Sequence, residues 1–286
     1  MCDHETLPTR RSLLLGGGLA GAATLGAPLI GAAPAAAAPR RRHRVLVYSR
    51  TAGFRHSSIE VGVTTIEQLG EEHGFAVEAS EDPAVFTDRN LRRFTAVAFL
   101  NTTGEVMTPG GRQALRRFVL SGGGWVGVHS AADTEYDWPF YARLLAGGYF
   151  LAHPVQQPGV VVRESATHRS TAHLPERWTV PFEEFYSFKA SPRGRAEVLL
   201  SIDESTHLQD PNTSHLPGET FPDGYEPVSG TMGDHPMCWQ HRVGRGVSWY
   251  TALGHETHMY LDPSYRTHLA GGLLTATRHG RRHLPA

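Results

Sequence analysis

The segment from Gly122 to Asp133, GGGWVGVHSAAD, combines features that enzymes use to present a reactive side chain. Glycines precede a short apolar strand, and a turn into a helix is predicted directly after it. In enzymes built this way, the tip of the turn often carries a nucleophilic Ser or Cys. Here the tip carries His129. An imidazole at this position favours proton transfer or metal binding, because it cannot readily form the thioester that a cysteine would form.

The surroundings of His129 suit a tight strand-to-helix turn. Gly127 precedes it, and Ala131 and Ala132 follow it, so that the chain can turn sharply and pack closely. We expect the tip to expose the imidazole. We also expect the following helix to keep the ring neutral, because the positive end of a helix dipole disfavours imidazolium.

Polar side chains also follow other predicted strands. Arg55 and His56 come shortly after the first strand, and His255 follows the strand nearest the C terminus. In an open parallel α/β sheet, ligands bind beyond the carboxyl ends of the strands. We therefore expect these side chains to meet His129 in one crevice. The chain has 17 histidines, and those of the C-terminal tail are predicted to be solvated.

Apolar strands alternate with helical patterns in the first half of the chain. Continuous apolar strands separated by helices indicate a parallel sheet covered on both faces, because parallel neighbours need crossover connections. The predicted fold class is therefore α/β. Strands are predicted over 45–49, 75–79, 96–101 and 125–129, and helices over 57–73 and from Pro109, with Thr108 as the N-cap.

The second half of the chain is less regular. Strands are predicted over 160–164, 197–203, 237–243 and 247–253, with a hairpin turn at 244–246 and a final helix over 263–278. The segment 209–234 is rich in Pro, Gly and Asn. A long irregular stretch inside a compact domain indicates a functional loop or a lid.

The N-terminal residues 1–38 are predicted to be a twin-arginine signal peptide. Arg10 and Arg11 precede a Gly/Ala/Leu-rich apolar run that ends in small residues, with cleavage expected between Ala35 and Ala38. The alternative is an uncleaved membrane anchor, but the run is only weakly apolar. The predicted protein is thus secreted, without stable membrane association, and consists of a linker (39–43), one domain (44–280) and a tail (281–286).

Composition excludes several classes of protein. The chain has 286 residues, of which 40% are hydrophobic and 19% charged, as expected of a globular protein with one sizeable core. The formal net charge of −1 argues against a nucleic-acid partner, and no nucleotide cofactor is predicted. Cys2 lies in the predicted signal, so Cys238 has no cysteine partner after cleavage. Its alternating surroundings predict a buried core thiol.

Five segments together resemble the ThuA-like family, which is associated with trehalose utilisation. They are SRTAGFRHSSI, FVLSGGGWVGVHSAADT, FLAHP, EEFYSF and HPMCWQHRVGRGVSWYTALGH, in this order along the chain. The resemblance implies a flavodoxin-like, class I glutamine amidotransferase-like fold, a three-layer sandwich with a mainly parallel sheet. Members look like amidotransferase relatives that lack the elbow cysteine, and His129 agrees with this. The chain is therefore not expected to be a glutamine amidotransferase.

The resemblance also implies a carbohydrate ligand. The family is associated with the catabolism of disaccharides, including trehalose and oxidised 3-keto sugars. The positions that match the family, and are implied to line a pocket, are His56, His129, Asp133, His153, Glu184, Tyr186 and His255.

Three kinds of chemistry remain open for these residues. In the first, His129, His153 and Glu184 bind a divalent metal, Zn²⁺ or a similar ion, whose water attacks the substrate. In the second, His129 is a general base and Asp133 or Glu184 the acid, without a metal. In the third, the cleft only binds a sugar, on aromatic rings such as those of Phe54 and Tyr136.

We predict an exported carbohydrate-processing enzyme, a hydrolase or lyase acting on a disaccharide, a glycoside or an oxidised sugar. The alternative is a non-catalytic module that binds a carbohydrate or another small ligand. The predicted catalytic residues are His129, Asp133, Glu184 and His255; the predicted substrate-binding residues are Arg55, His56, Trp138 and Tyr186; the predicted metal ligands are His129, His153 and Glu184.

Overall fold

The structure, a computed structural model, describes residues 43–210 and 229–279. The predicted signal peptide, most of the linker, the predicted tail and residues 211–228 of the predicted loop lie outside the described residues. Among the residues described, no helix combines the length and the apolar character needed to cross a membrane.

The described chain contains one sheet of nine strands and one of two. The strands are β1 (His43–Tyr48), β2 (Phe75–Ser80), β3 (Ala96–Leu100), β4 (Gly124–Val128), β5 (Phe150–Ala152), β6 (Gln157–Arg163), β7 (Arg177–Glu183), β8 (Ser187–Phe188), β9 (Glu197–Ile202), β10 (Pro236–Val243) and β11 (Gly246–Thr251). The order in the large sheet is β2-β1-β3-β4-β11-β10-β9-β6-β7, and β5 pairs with β8.

Five neighbouring strands of the large sheet, from β2 to β11, run parallel. Their register aligns the carboxyl ends of β3, β4 and β11. Val128 of β4 pairs with Leu100 of β3 on one side and with Thr251 of β11 on the other. The residues that follow these three strands therefore emerge at one edge of the sheet. The rest of the sheet, from β10 to β7, is antiparallel.

Helices cover both faces of the sheet, as predicted. They are α1 (Ile59–His73), α2 (Asp88–Leu91), α3 (Pro109–Leu120), α4 (Pro139–Leu144) and α5 (Pro263–His279). The hydroxyl of Thr108 accepts a hydrogen bond from the Gly111 amide at 3.1 Å, which confirms the predicted N-cap of α3. α1 and α5 pack together on one face, and α3 lies on the other. The three-layer α/β sandwich with a mainly parallel sheet is confirmed.

The core lies along the central strands. β3 and β4 are buried at every position, as their uninterrupted apolar sequences predict. Burial of each large aliphatic side chain contributes about 1.5–3 kcal/mol to the hydrophobic driving force. Cys238 is buried in β10 and unpaired, in agreement with the predicted core thiol.

The predicted hairpin between β10 and β11 is present, and Gly244 at its turn has a φ of 63°, where glycine is favoured.

Other elements differ from the sequence-based expectation. β7 was not predicted, because Pro181 interrupts its alternation of exposed and buried residues. α4 was not predicted either, since its six residues are too few to show a helical period.

Candidate functional site

His129 lies at the end of β4 in a strained turn. Its φ is 49°, a left-handed conformation that is costly for a residue with a side chain. The turn that follows is a single 3₁₀ turn, His129–Ala132, rather than the expected helix. The ring is completely buried, whereas the sequence predicted an exposed one. Burial, not a helix dipole, therefore lowers the pKa of His129.

Four side chains converge beside this turn. His56 follows β1, His129 follows β4, Glu184 follows β7 and His255 follows β11. Each offers one ligand atom, and the four atoms lie within 4.8 Å of one another. We call these four residues the His/Glu cluster. The expectation that distant imidazoles and an acid meet around residue 129 agrees with this geometry.

The hydrogen bonds of His129 fix which nitrogen faces the cluster. Nδ1 lies 2.7 Å from the carbonyl oxygen of Ala252, so Nδ1 carries the proton and donates it. Nε2 faces Glu184 Oε2 at 3.3 Å but has no hydrogen-bond partner among the described residues. In neutral His129, a lone pair therefore points at a carboxylate oxygen. Two acceptors in contact are unfavourable unless a cation or a proton lies between them.

The other two histidines of the cluster also have a partner at Nδ1. His255 Nδ1 lies 3.0 Å from Glu256 Oε1, and His255 Nε2 lies 3.5 Å from Glu184 Oε1. His56 Nδ1 lies 3.3 Å from the hydroxyl of Ser130. Histidines that bind metals usually donate one ring N–H to a carboxylate, a carbonyl or a hydroxyl in this way, which leaves the other nitrogen for the ion.

The ionisation of the cluster suits a cation. Burial and the neighbouring His129 and His255 lower the pKa of His56 to about 2, so its ring is neutral at ordinary pH. Burial would raise the pKa of Glu184, but the contact with His129 outweighs burial, and the pKa lies at about 2. His56 and His129 are therefore neutral and Glu184 is anionic, which is the ionisation state of metal ligands.

Glu183, next to Glu184, organises the backbone of the cluster. The oxygens of its buried carboxyl group accept hydrogen bonds from the amides of Gly254 at 2.9 Å, His255 at 3.1 Å and Glu184 at 2.9 Å. Burial raises the pKa of Glu183 to about 8, and these backbone bonds oppose the rise. The sequence analysis assigned no role to Glu183; its place beside Glu184 in the EEFYSF segment was the only signal.

Aromatic and polar side chains surround the cluster. The ring of Tyr186 packs on that of His129, with centroids 4.2 Å apart. His153 Nδ1 approaches Glu184 Oε1 at 3.2 Å and also lies 2.9 Å from the Pro154 carbonyl oxygen. His153 is therefore a neighbour of the cluster through Glu184. His56 and His255, predicted in other roles, stand beside His129 and Glu184.

Three other predicted residues lie around or outside the cluster. The Asp133 carboxylate accepts a hydrogen bond from the Tyr136 hydroxyl at 2.7 Å, and burial raises its pKa. The guanidinium of Arg55 lies 2.6 Å from Glu60 and 3.0 Å from Glu81, so it is engaged at the surface. Trp138 is buried and packs on Phe140 and Tyr141 in the core. Arg55 and Trp138 are thus held by contacts outside the cluster.

A comparison with known protein families gives one match that covers most of the chain. The family described as trehalose utilisation, ThuA, matches residues 44–276. The chain belongs to the ThuA family. The ThuA match covers every residue of the His/Glu cluster.

Solved structures with the same fold include other ThuA-like proteins. One from Bacteroides uniformis is 25% identical, with a TM-score of 0.64, and the match covers 87% of this chain and 95% of that protein. One from Parabacteroides merdae is 17% identical, with a TM-score of 0.61, and the match covers 82% and 90% respectively. Among curated proteins, none matches this ThuA sequence.

Proposed function

We propose that this ThuA protein is an exported, metal-dependent enzyme that cleaves a disaccharide, a glycoside or an oxidised sugar derivative by hydrolysis or elimination. The carbohydrate class follows the description of the family. One observation supports the metal above all: the buried Nε2 of His129 has no hydrogen-bond partner and faces the carboxylate of Glu184 at 3.3 Å. A divalent cation between the two atoms would satisfy both.

The donor set agrees with this interpretation. Imidazole nitrogens and a carboxylate oxygen suit Zn²⁺ and similar ions. His56, His129, Glu184 and His255 would hold the ion, and Glu256, Ser130 and the Ala252 carbonyl would orient the three rings. Such an ion, when bound, lowers the pKa of a water molecule or polarises a carbonyl group.

The chain's own groups have separate tasks in this proposal. Asp133 lies on the same turn as His129, and its raised pKa and its bond from Tyr136 suit a carboxyl group that exchanges a proton with a sugar oxygen. Tyr186 covers one face of His129 and excludes water from it. Glu183 keeps the backbones of Glu184 and His255 together.

A second candidate function, sugar binding without turnover, has one observation in its favour. Phe54 is 68% exposed, and its ring lies edge-on to that of His56, with centroids 4.9 Å apart. An exposed aromatic ring beside a polar cluster is a suitable platform for the apolar face of a sugar.

Elemental analysis of protein purified without added metal tests the first proposal. We expect about one equivalent of zinc or a similar ion in the wild type and a large loss in His129→Ala and Glu184→Gln. His73→Ala, which changes an exposed residue of α1, is the matched control and should retain the ion. Metal-free protein that is fully active would exclude the metal.

Product analysis distinguishes the two candidate functions. The purified protein is incubated with trehalose, other disaccharides and their 3-keto derivatives, and the products are separated by chromatography. Cleavage that disappears in His129→Ala supports the enzyme. Saturable sugar binding without any product after long incubation supports the binding module instead.

A further inference from the structure

A pair of adjoining cavities lies away from the His/Glu cluster. One cavity has a volume of about 540 Å³ and the adjoining one about 300 Å³. Arg195, His241 and Arg242 line both, so the two form one continuous groove. Arg143 lines the smaller cavity. We call this feature the arginine groove.

The arginine groove lies at the edge of the sheet opposite to the His/Glu cluster. Val247, which lines the larger cavity, pairs with Gly124 at the beginning of β4. The cluster lies beyond Thr251, at the other end of β11. Val247 and Thr251 are four positions apart in β11, which corresponds to roughly 13 Å along the strand. The two sites are therefore spatially distinct.

The groove carries an excess of positive charge. Its lining includes three arginines and one acid, Glu197. Glu197 is already engaged, because its Oε2 accepts a hydrogen bond from Gln240 Nε2 at 2.7 Å. Within residues 43–210 and 229–279, no carboxylate forms an ion pair with Arg143 or Arg195. Arg117 differs, since it pairs with Asp88 at 2.8 Å.

The carbonyl groups at the C-terminal end of α4 do not need Arg143 or Arg195 as hydrogen-bond donors. The last carbonyl groups of this helix would repel an anion if they were left open. Side chains from neighbouring strands already donate hydrogen bonds to these carbonyl groups. The carbonyl oxygens of Arg143, Leu144 and Leu145 accept hydrogen bonds from His241 at 2.6 Å, Ser248 at 2.5 Å and Trp239 at 3.1 Å, respectively.

Arg195 is held in place by the backbone beneath it. Gly147 has a φ of 82°, and a Cβ atom there would collide with the guanidinium of Arg195. Arg195 Nη2 also donates a hydrogen bond to the Ser191 carbonyl oxygen at 2.7 Å. The guanidinium therefore lies against a glycine that leaves it room. A donor fixed in this way loses less conformational entropy when it binds a ligand.

We propose that the arginine groove binds a phosphate group, either as inorganic phosphate or as the phosphate of a small sugar ester. Guanidinium groups recognise phosphate through paired N–H donors, and two that lack a carboxylate partner are available for it. The volume of the groove accommodates a sugar as well as the phosphate. This inference does not depend on the metal or on sugar cleavage.

Calorimetric titration with inorganic phosphate tests the inference. The full chain is first treated with a chelator, so that phosphate cannot bind to a metal at the His/Glu cluster. We expect saturable binding that weakens as salt is added. The double variant Arg143→Gln/Arg195→Gln should bind at least about tenfold more weakly, and Arg195→Lys should lie between, because lysine keeps the charge but loses the paired donors.

Controls and further ligands make the outcome decisive. Arg89→Gln, an exposed change in α2, should bind phosphate as the wild type does. A hexose monophosphate that binds more tightly than phosphate identifies a sugar ester, whereas equal affinities identify the free anion. Circular dichroism verifies that each variant is folded. The proposal is wrong if the folded wild type binds neither ligand, or if the double variant binds them with unchanged affinity.

Discussion

The chemistry of His129 depends on the groups that surround its two ring nitrogens. The Ala252 carbonyl oxygen, 2.7 Å away, takes the proton of Nδ1, and burial disfavours a second proton on the ring. Nε2 is left as a lone pair opposite Glu184. The same imidazole at a solvated position would titrate near neutral pH and would have no comparable preference for a cation.

Glu183 provides a prediction about positioning. Glu183→Gln replaces one acceptor oxygen by an NH₂ group, which would face a backbone amide donor of the cluster. We expect the affinity for Zn²⁺ to fall about 10- to 100-fold, as for other residues that orient metal ligands. Competition with a chromophoric chelator measures the affinity.

The control for Glu183→Gln is Glu72→Gln, which removes a carboxylate of α1 that pairs with Arg266 at the surface. It should leave the affinity for zinc unchanged. Thermal unfolding of both metal-free variants shows whether the fold is retained. Equal zinc affinities in folded Glu183→Gln and the wild type would contradict the positioning role.

The cluster residues and their meeting around His129 were predicted from the sequence, but the set of candidate metal ligands was not. Chemistry at strand ends and the family resemblance pointed to His56, His129, Glu184 and His255. The sequence-based metal set contained His153 and omitted His56 and His255, because ligand sets from distant segments have no spacing pattern. The orienting contacts of Ser130, Glu256 and Ala252 also depend on side-chain directions that no sequence pattern shows.

At the scale of elements, several hydrogen bonds constrain the segment between β11 and α5. Gly254 has a φ of 116°, its amide donates to Glu183, and its carbonyl oxygen accepts from Asn101 at 3.1 Å and from Tyr260 at 3.0 Å. This network fixes the backbone from which His255 extends.

Gly254→Ala is therefore predicted to damage both the fold and the cluster. A Cβ atom at this position would collide with the hydroxyl of Tyr265, and the left-handed φ would be strained as well. We expect a loss of about 2–4 kcal/mol in the free energy of unfolding, with weaker zinc binding. Chemical denaturation and chelator competition measure the two effects.

Gly74→Ala is the matched control for Gly254→Ala. Gly74 has a φ of 79° at the end of α1, but a Cβ atom there would meet nothing within 4 Å. Only the conformational cost of about 1 kcal/mol is expected, with normal zinc binding. If both variants lost the same stability and neither lost zinc, the structural account of Gly254 would be incorrect.

Elements with strong local patterns were predicted well. β3, α3 and the hairpin at Gly244 follow from apolar runs, an N-cap and a glycine turn. The helix expected after His129 is instead one 3₁₀ turn, because Glu135, with a φ of 56°, and Pro139 at the start of α4 separate the turn from the next helix. β7 depends on pairing with β6 rather than on its own sequence pattern.

At the scale of the whole molecule, buried histidines make stability depend on pH. Burial lowers the pKa of His268 to about 3, from about 6.5 in an unfolded chain. Below pH 6.5 the unfolded chain therefore binds a proton that the folded protein does not. Stability is fully present above about pH 6.5 and falls as the pH decreases towards 3, by at most about 1.4 kcal/mol per pH unit for this residue.

His268→Gln tests this dependence. His268 contacts the Ser170 carbonyl oxygen at 2.8 Å and the Thr251 hydroxyl at 3.1 Å, and a glutamine amide can replace part of these contacts. Urea unfolding of the metal-free proteins between pH 3 and 6.5 should give a shallower slope for the variant. Parallel curves for variant and wild type would show that His268 does not contribute.

Export is a prediction about the whole chain. The twin arginines lie in a segment outside the described residues, so the sequence alone motivates the experiment. Arg10→Lys/Arg11→Lys should prevent export through the twin-arginine pathway, and the protein should accumulate inside the cells. Arg40→Lys/Arg41→Lys in the linker is the control. Cell fractionation and the mass of the exported protein give the result; equal export of both variants would contradict the prediction.

The hydrogen bond from the Gly254 amide to Glu183 has a consequence for the edge strand β7. β10, β9 and β6 lie between β11 and β7, yet Glu183 at the end of β7 bonds to the amide of Gly254 beyond β11. A cation bound by Glu184 and the three histidines would link the outermost strand, β7, to the central strands of the sheet. Chelation should therefore accelerate amide hydrogen exchange in β6 and β7 much more than in β1 and β3, as mass spectrometry can measure.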